Sequence, residues 1–416
     1  MKKVKLLVVG AGSRGNGYAR YILENPDKAE IIGVAEPRRF YREKMAEEHK
    51  IDSNNIYESW EPLAEREKFA DAVIIATPDS EHTGPAIAFA RKGYHILLEK
   101  PMAPTEEECR QIVGEAVKNN IILAVCHVLR YTQYTATLKK LLDDGAIGDI
   151  VSLQHLEPVG YWHFAHSFVR GNWRNEKESA PMLLAKACHD LDWIHYVVGN
   201  NCRQISSFGN LKHFRSENKP AGAGTRCIDC SVERKCPYSA VKLYIEMMLN
   251  KGETRWPVDV ITSDTSRDGV FKALQEGPYG RCVYECDNDV CDHQVVNMLF
   301  DNKATATFTV TGFTELTARR TSIYGTKGEL YGDGRYIKTY DFLTDKHSTI
   351  DTHTSGATVT SGHGGGDWGL MKNFIESVGT DDPSLIISGP KETLDSHLLV
   401  FYAEKARREN RVVAMD

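Results

Sequence analysis

The sequence has no long apolar run, no basic block and no internal repeat. No stretch approaches the roughly 18 to 20 apolar residues that span a bilayer. The first apolar run, LLVV, is too short to be the core of a secretion signal. The formal net charge is -6, and no basic stripe offers a surface to nucleic acid or anionic membrane. These absences favour a cytoplasmic protein without nucleic-acid or membrane partners.

The 10 cysteines are not spaced as a disulfide framework. They cluster, and clustered cysteines in a large chain without a signal peptide indicate a metal before they indicate disulfides. A C-x2-C pair suits tetrahedral zinc, because the two-residue gap brings both thiolates onto one ion. The predicted ligands of a structural Zn2+ are Cys227, Cys230, Cys236 and Cys282, with Cys286 as the alternative fourth ligand. Free buried thiols and an iron–sulfur cluster are the other interpretations.

The order of apolar segments divides the chain into two parts. Up to about residue 130, buried-type strands such as VKLLVV, EIIGVA and DAVIIATP alternate with helical stretches, which is typical of a doubly wound parallel sheet. Later strands follow one another with two-residue alternation, which indicates a mostly antiparallel sheet. The sequence predicts an α/β protein: a Rossmann domain over 1–130 and an α/β domain with a large open sheet over 131–416. The cysteine-rich segment, about 210–280, is predicted to be an insertion.

A glycine-rich loop follows the first strand. Gly10, Gly12 and Gly15 form G-x-G-x-x-G, whose glycines permit a tight turn, close approach of a pyrophosphate and helix packing. Glu36 ends the second strand, where a carboxylate can bond the ribose hydroxyls and repels a 2′-phosphate. The loop therefore predicts NAD. NADP is the less favoured alternative, because Arg38 follows closely.

Several short motifs occur in a characteristic order. They are GAGSRG, ATPD (76–79), EKP (99–101), CHVLRY (126–131), HDLDW (189–193), IYGTKGEL (323–330) and GHGGGD (362–367). With these motifs the whole chain resembles the Gfo/Idh/MocA oxidoreductases. The resemblance implies a Rossmann domain joined to an open-sheet domain, and hydride transfer between NAD(P) and a hydroxyl carbon of a sugar, inositol or related compound. It also implies a homodimer or homotetramer formed through the second sheet.

Candidate catalytic residues follow from the chemistry of alcohol oxidation. Lys100 ends a predicted strand, where open α/β sheets bind ligands, and can donate to a substrate oxygen or transfer a proton. His189 can take the hydroxyl proton. The family pattern has an aspartate four residues before this histidine, where this chain has Ala185 with Lys186 beside it. Lys186 is therefore a third catalytic candidate, and Asp192 is expected to lie on the face of the helix that carries His189.

Polar and aromatic residues over 161–175 and at 362–368 suit a sugar site, although both segments could equally be surface loops. The predicted substrate contacts are Tyr131, His163, His166, Arg170, Trp173, Arg174, Asp192 and His363. The predicted cofactor contacts are Gly10, Gly12, Ser13, Arg14, Gly15, Glu36, Arg38, Thr77, Pro78, Asp79, His82, Glu99, Lys100 and Arg130.

Three functions fit this pattern. The first is an NAD-dependent oxidoreductase acting on a sugar, glycoside or cyclic polyol. The second is a redox-neutral glycoside-cleaving enzyme that keeps its NAD, for which His163, His166 or Lys186 could supply an extra base. The third is a non-catalytic, nucleotide-dependent sensor, which the alanine at position 185 leaves open. Net NADH production separates the first two.

Overall fold

Six parallel strands form the N-terminal sheet of the computed structural model, which describes residues 2–353 and 363–415. The strands are β1 (Val4–Val9), β2 (Ala29–Ala35), β3 (Ile56–Tyr57), β4 (Ala72–Ile75), β5 (His95–Leu98) and β6 (Leu123–Val125). Their order is β3-β2-β1-β4-β5-β6, as in a dinucleotide-binding Rossmann sheet. The order reverses between β1 and β4, and ligands bind at the carboxyl edge of such a switch point.

Helices cover both faces of this sheet. They are α1 (Ser13–Glu24), α2 (Arg39–His49), α3 (Glu61–Glu65), α4 (Thr83–Arg91) and α5 (Glu106–Lys118). The apolar run of β1 is continuous because both of its faces are buried. Leu6 and Val8 pack in the core on one face of the sheet, and Leu7 and Val9 pack in the core on the other face. The sequence prediction of a doubly wound parallel sheet is confirmed.

Within residues 2–353 and 363–415, nine strands form the second sheet. They are β7 (Ile150–Pro158), β8 (Cys202–Asn210), β9 (His293–Phe300), β10 (Thr305–Thr311), β11 (Arg320–Gly325), β12 (Gly328–Gly332), β13 (Tyr336–Asp341), β14 (Lys346–Asp351) and β15 (Val413–Ala414). Their order is β14-β13-β12-β11-β7-β10-β9-β8-β15. Among the strands of the described residues, β7 and β10 pair in parallel and the other neighbours pair antiparallel, so the predicted open and mostly antiparallel sheet is confirmed.

The helices of the C-terminal half are short, apart from the last two. They are α6 (Gln133–Asp143), α7 (Tyr161–Phe164), α8 (Met182–Ala185), α9 (Cys188–Val198), α10 (Val258–Ile261), α11 (Arg267–Glu276), α12 (Gly366–Thr380) and α13 (Pro390–Glu409). Two wider helical segments occupy Ala165–Arg170 and Val241–Met248. Among the described helices, none is long and apolar enough to cross a membrane.

Two features depart from the sequence prediction. The predicted helix over 183–198 is interrupted between α8 and α9 at Lys186 and Ala187. Helix α12 also returns to the first sheet, where Leu370 and Phe374 pack in the same core as Val8. The chain therefore crosses between the two sheets more than once, and the interruption at Lys186 lies where the two parts meet.

Candidate active site

The glycine-rich loop joins β1 to α1 and needs its glycines for steric reasons. Gly10 has φ +91°, and a Cβ there would lie 2.4 Å from the carbonyl oxygen of Ala76. A Cβ on Gly15 would lie 2.0 Å from the carbonyl oxygen of Gly10. Ser13 is the first residue of α1. The loop therefore leads directly into a helix N-terminus, whose free N–H groups and dipole favour a phosphate.

Glu36 lies at the carboxyl end of β2, beside the loop, and only 1% of it is exposed. Its carboxylate accepts hydrogen bonds from the backbone N–H of Ala11 at 2.8 Å and from the Arg38 guanidinium at 2.7 and 2.9 Å. Burial alone would raise the pKa of Glu36, but the bonds from Arg38 and Ala11 lower it overall. The carboxylate is therefore charged, and it holds Arg38 over Gly12.

The Glu36–Arg38 pair gives a test of cofactor preference. In Glu36→Ser, Arg38 loses its partner and can bind a 2′-phosphate, so the preference for NADP+ over NAD+ is expected to rise about tenfold, or ~1.4 kcal/mol. The ratio of kcat/KM for the two cofactors measures this. Glu43→Ser is the matched control, because Glu43 pairs with Arg39 on the exposed side of α2. An unchanged ratio in Glu36→Ser would remove Glu36 from cofactor recognition.

A buried carboxylate fixes the loop that follows β5. Glu99 accepts hydrogen bonds from Arg14 and from the Tyr18 hydroxyl on one oxygen, and from the backbone N–H of Lys100 at 2.6 Å on the other. Arg14 also donates to Asp367 at 2.6 Å. Burial alone would raise the pKa of Glu99, but the charges of Arg14 and Lys100 lower it. The carboxylate thus stays ionised and holds the backbone at Lys100.

Lys100 connects the two halves of the molecule. Its Nζ donates to the carbonyl oxygen of Ala185 at 2.9 Å. Ala185 ends α8, directly before the interruption that leads into α9. His189 lies in the first turn of α9 and is 4% exposed. The structure therefore joins Lys100 to the turn that carries Lys186 and precedes His189.

A second charged group lies beside Lys186. Its Nζ is 3.1 Å from Glu157, near the carboxyl end of β7, and Glu157 is also 3.0 Å from Arg319. Arg319 reaches on to Asp190 at 2.5 Å. Burial would raise the pKa of Asp190, but Arg319 and a hydrogen bond from His155 lower it. The sequence analysis did not predict Glu157 or Arg319. An acidic residue near the end of a predicted strand, as at Glu157, could have indicated a site residue.

The ATPD motif also lies between the two halves. Asp79 accepts hydrogen bonds from Trp173 Nε1 at 3.1 Å and from the Ser179 hydroxyl at 3.3 Å. Burial raises the pKa of Asp79. His82 lies within hydrogen-bond distance of two backbone oxygens, those of Thr77 and Pro101. Asp79 thus connects the loop after β4 with the second half of the chain, and His82 connects it with the loop after β5.

His163 is the predicted substrate contact that lies beside the charged groups. Burial lowers its pKa well below the usual value, and the positive charge of Lys186 lowers it further. The ring is therefore neutral at physiological pH. The Trp256 ring lies edge-on to His163 at 4.9 Å. No sequence motif singled out Trp256.

Four predicted site residues are held by other protein groups. Arg130 donates two hydrogen bonds to Asp192, at 2.7 and 2.8 Å, and both residues are almost completely buried. Arg170 donates to the carbonyl oxygens of Arg281 and Tyr238. The Tyr131 hydroxyl lies 2.8 Å from Ser388 Oγ. Such internal pairing satisfies buried polar groups, so each of these four residues has a protein partner, and their predicted cofactor and substrate contacts stay predictions.

Three further predicted contacts have different outcomes. His166 is buried, and its Nδ1 lies 2.6 Å from the Tyr244 hydroxyl. Arg174 forms ion pairs with Asp287 and Glu178. His363 begins a short turn before α12, and its side chain lies outside the described part of the chain. None of these observations brings the three side chains to Lys100.

The zinc prediction is not supported. Cys227, Cys230, Cys236 and Cys282 do line one small cavity. However, within residues 2–353 and 363–415 no group of three or more His, Cys, Asp or Glu side chains is arranged to hold a metal ion. Separate protein donors approach two of the sulfurs: Arg170 reaches Cys227 at 3.4 Å, and the N–H of Gly224 reaches Cys230 at 3.3 Å.

A parallel sheet with a glycine-rich loop at its switch point, and a buried carboxylate beside that loop, is the architecture of a dinucleotide-binding Rossmann domain. The chain belongs to the Gfo/Idh/MocA oxidoreductase family. Residues 4–127 match its NAD-binding Rossmann domain, and residues 139–415 match its C-terminal α/β domain.

Known proteins resemble the chain at moderate identity. It is 28% identical over 214 residues to 2,7-anhydro-N-acetylneuraminate hydratase of Mediterraneibacter gnavus, covering 51% of this chain and 54% of that protein. It is 26% identical over 211 residues to scyllo-inositol 2-dehydrogenase (NAD+) of Bacillus subtilis, covering 50% and 58%. The chain thus spans only about half the length of these relatives. The crystal structure of levoglucosan dehydrogenase with NADH and levoglucosan shares the fold, with TM-score 0.71, 17% identity and 99% of both chains covered.

Proposed function

We propose that the protein transfers a hydride between NAD and a hydroxyl-bearing carbon of a sugar, glycoside or cyclic polyol. The observation that carries this proposal is the link from Lys100 Nζ to the carbonyl oxygen of Ala185 at 2.9 Å. It brings the lysine at the carboxyl edge of the Rossmann sheet to the turn before His189. The relatives named for inositol and anhydro-sugar substrates support the substrate class.

The proposed roles of Lys100, His189 and Glu99 follow from the hydrogen bonds that each side chain can donate or accept. A lysine ammonium has three protons, and one is directed at Ala185, so two can hold the substrate hydroxyl. His189 accepts the hydroxyl proton, and NAD supplies the hydride acceptor when it is bound. The Glu99 carboxylate holds the Lys100 backbone, so the ammonium keeps its position relative to α9.

The second candidate is redox-neutral cleavage or hydration of a glycoside-like bond. The specific observation that favours it is the extra set of groups at Lys186, where Glu157 lies at 3.1 Å and the neutral ring of His163 lies nearby. A neutral imidazole can act as the additional base that removes an acidified ring proton. One relative is named as a hydratase, a class of reaction without net redox change.

One experiment separates the two candidates. Purified protein is incubated with NAD+ and a panel of inositols, anhydro-sugars, free aldoses and nitrophenyl glycosides, while NADH absorbance and released nitrophenol are followed. Hydride transfer predicts NADH in proportion to substrate consumed. Redox-neutral cleavage predicts nitrophenol or hydrated product without net NADH. If the whole panel gives neither signal in protein that binds NADH, both candidate reactions are contradicted. That result would favour the third function, a non-catalytic, nucleotide-dependent sensor.

We also propose that the second sheet forms a homodimer or homotetramer. Three aromatic side chains on its strands are exposed, namely Phe208 (61%), Tyr324 (38%) and Tyr331 (39%). Exposed apolar groups on one element mark association surfaces when they form a patch. Light scattering of the purified protein gives the mass that tests this proposal, and a monomer over the working concentration range contradicts it.

A further inference from the structure

Residues 211–292 form an insertion within a hairpin. Strands β8 and β9 are antiparallel neighbours, and the last residue of one, Asn210, pairs with the first residue of the other, His293. The insertion has its own small core, which includes Leu243, Val258 and Leu274. It is therefore a compact unit that leaves the sheet and returns to it at one point.

One segment of this unit contacts the substrate side of the cleft. The Trp256 ring lies edge-on to His163 at 4.9 Å and to His166 at 5.6 Å, and is tilted against Trp162 at 5.4 Å. His163 and His166 are two of the predicted substrate contacts, so these ring contacts place Trp256 against the predicted substrate side of the cleft. About 39% of Trp256 stays exposed.

Three residues further on, the same segment contacts the Rossmann domain. The Tyr41 hydroxyl on α2 donates to the carbonyl oxygen of Asp259 at 3.4 Å. Burial raises the pKa of the Asp259 carboxyl, and the nearby positive charge of Lys44, also on α2, opposes that effect. Helix α2 follows directly after Glu36 and Arg38. The contact therefore lies at the adenosine end of the predicted cofactor site.

The Tyr41 ring also belongs to the cofactor side of α2. The Arg38 guanidinium lies over it, with the central carbon 4.3 Å from the ring centroid. Arg38 in turn holds Glu36 through two hydrogen bonds. A series of contacts thus joins Glu36 through Arg38 and Tyr41 to Asp259 in the insertion. Trp256, three residues before Asp259, contacts the candidate active site.

We propose that segment 256–259 is a strap across the cofactor cleft, which slows release of the dinucleotide so that it is retained between turnovers. The proposal rests on the proposed function, because it assumes that NAD occupies this cleft. Trp256 and Tyr41 are positioning residues: they hold the strap against the two domains. Retention of the cofactor suits a redox-neutral reaction, in which NADH returns the hydride to the same substrate molecule. If the reaction is a net oxidation, a second substrate must reoxidise the retained NADH.

The test measures how fast bound NADH leaves. Protein loaded with NADH is mixed with excess NAD+, and the fall in NADH fluorescence gives the release rate without any sugar. Tyr41→Phe removes the weaker anchor and is expected to raise the rate roughly threefold. Trp256→Ala removes the ring contacts and is expected to raise it roughly tenfold. Phe271→Ala is the control, because Phe271 is an exposed aromatic residue on α11 of the same insertion.

The outcomes separate this proposal from the proposed function. Faster release in both variants, with the control unchanged, supports the strap. Equal release rates in all four proteins overturn it, even if the enzyme oxidises its substrate normally. If NADH does not bind the native protein, the proposed function and the strap both fail. Tyr41→Phe is conservative enough that a folding defect in Trp256→Ala does not decide the result.

Discussion

Lys100→Met is expected to lower kcat/KM for the alcohol substrate by about 10³, within the range found for positioned acid–base groups. Methionine keeps the length and packing of the lysine stem, but it cannot donate to Ala185 or to a substrate oxygen. The Kd for NADH is expected to change little, because Glu36 and the glycine loop lie on other elements. Steady-state kinetics and NADH fluorescence titration measure the two quantities on the same preparation.

Lys118→Met is the matched control for Lys100→Met. Lys118 lies in the last turn of α5, and 74% of its side chain is exposed. It should leave both kcat/KM and the Kd unchanged. Normal turnover in Lys100→Met would refute the catalytic role, and loss of NADH binding in that variant would instead place Lys100 in cofactor binding.

Asp192→Ala is expected to destabilise the protein by about 3–5 kcal/mol, because it leaves the Arg130 guanidinium buried without its carboxylate. At this domain size the melting temperature should fall by about 10 °C. Burial would raise the pKa of Asp192, but the charge of Arg130 lowers it, so the pair is ionised in the folded protein. Differential scanning calorimetry measures the change.

The double variant Arg130→Met with Asp192→Leu completes this test. Replacing both charges with apolar side chains removes the unpaired ion, so the melting temperature should recover much of the loss. A structural pair also predicts a nearly unchanged KM in whatever fraction of Asp192→Ala folds. The opposite pattern, a normal melting temperature with a large rise in KM, would restore Asp192 to substrate binding.

Sequence patterns predicted those elements whose structure depends on residues close to one another in the chain. The buried strand β1, the glycine loop and Glu36 each depend on residues close in sequence, and the structure contains them as expected. Strand alternation also predicted the second sheet, because each strand buries one face. These signals are short-range, so a single sequence is enough to read them.

The remaining features depend on partners that are distant in sequence. The pairing of Asp192 with Arg130, which lies after β6, is one example that no local pattern predicted. A helix pattern gives the spacing of side chains and does not say which face meets another domain. The interruption of the helix at Lys186 and the position of Trp256 across the cleft are likewise set by tertiary packing, which overrides helix propensity.

The insertion between β8 and β9 has a consequence for how the chain folds. Neighbouring strands of a hairpin normally meet early, because the loop that joins them is short. Here residues 211–292 separate Asn210 from His293, so their pairing carries the entropy cost of closing a long loop and is expected to be slow. An insertion that forms its own core first brings its two ends together and lowers that cost. Strands β8 and β9 are then expected to pair only after the insertion has folded. The packing of Leu243 and Val258 thus affects how fast two strands pair to which neither residue belongs.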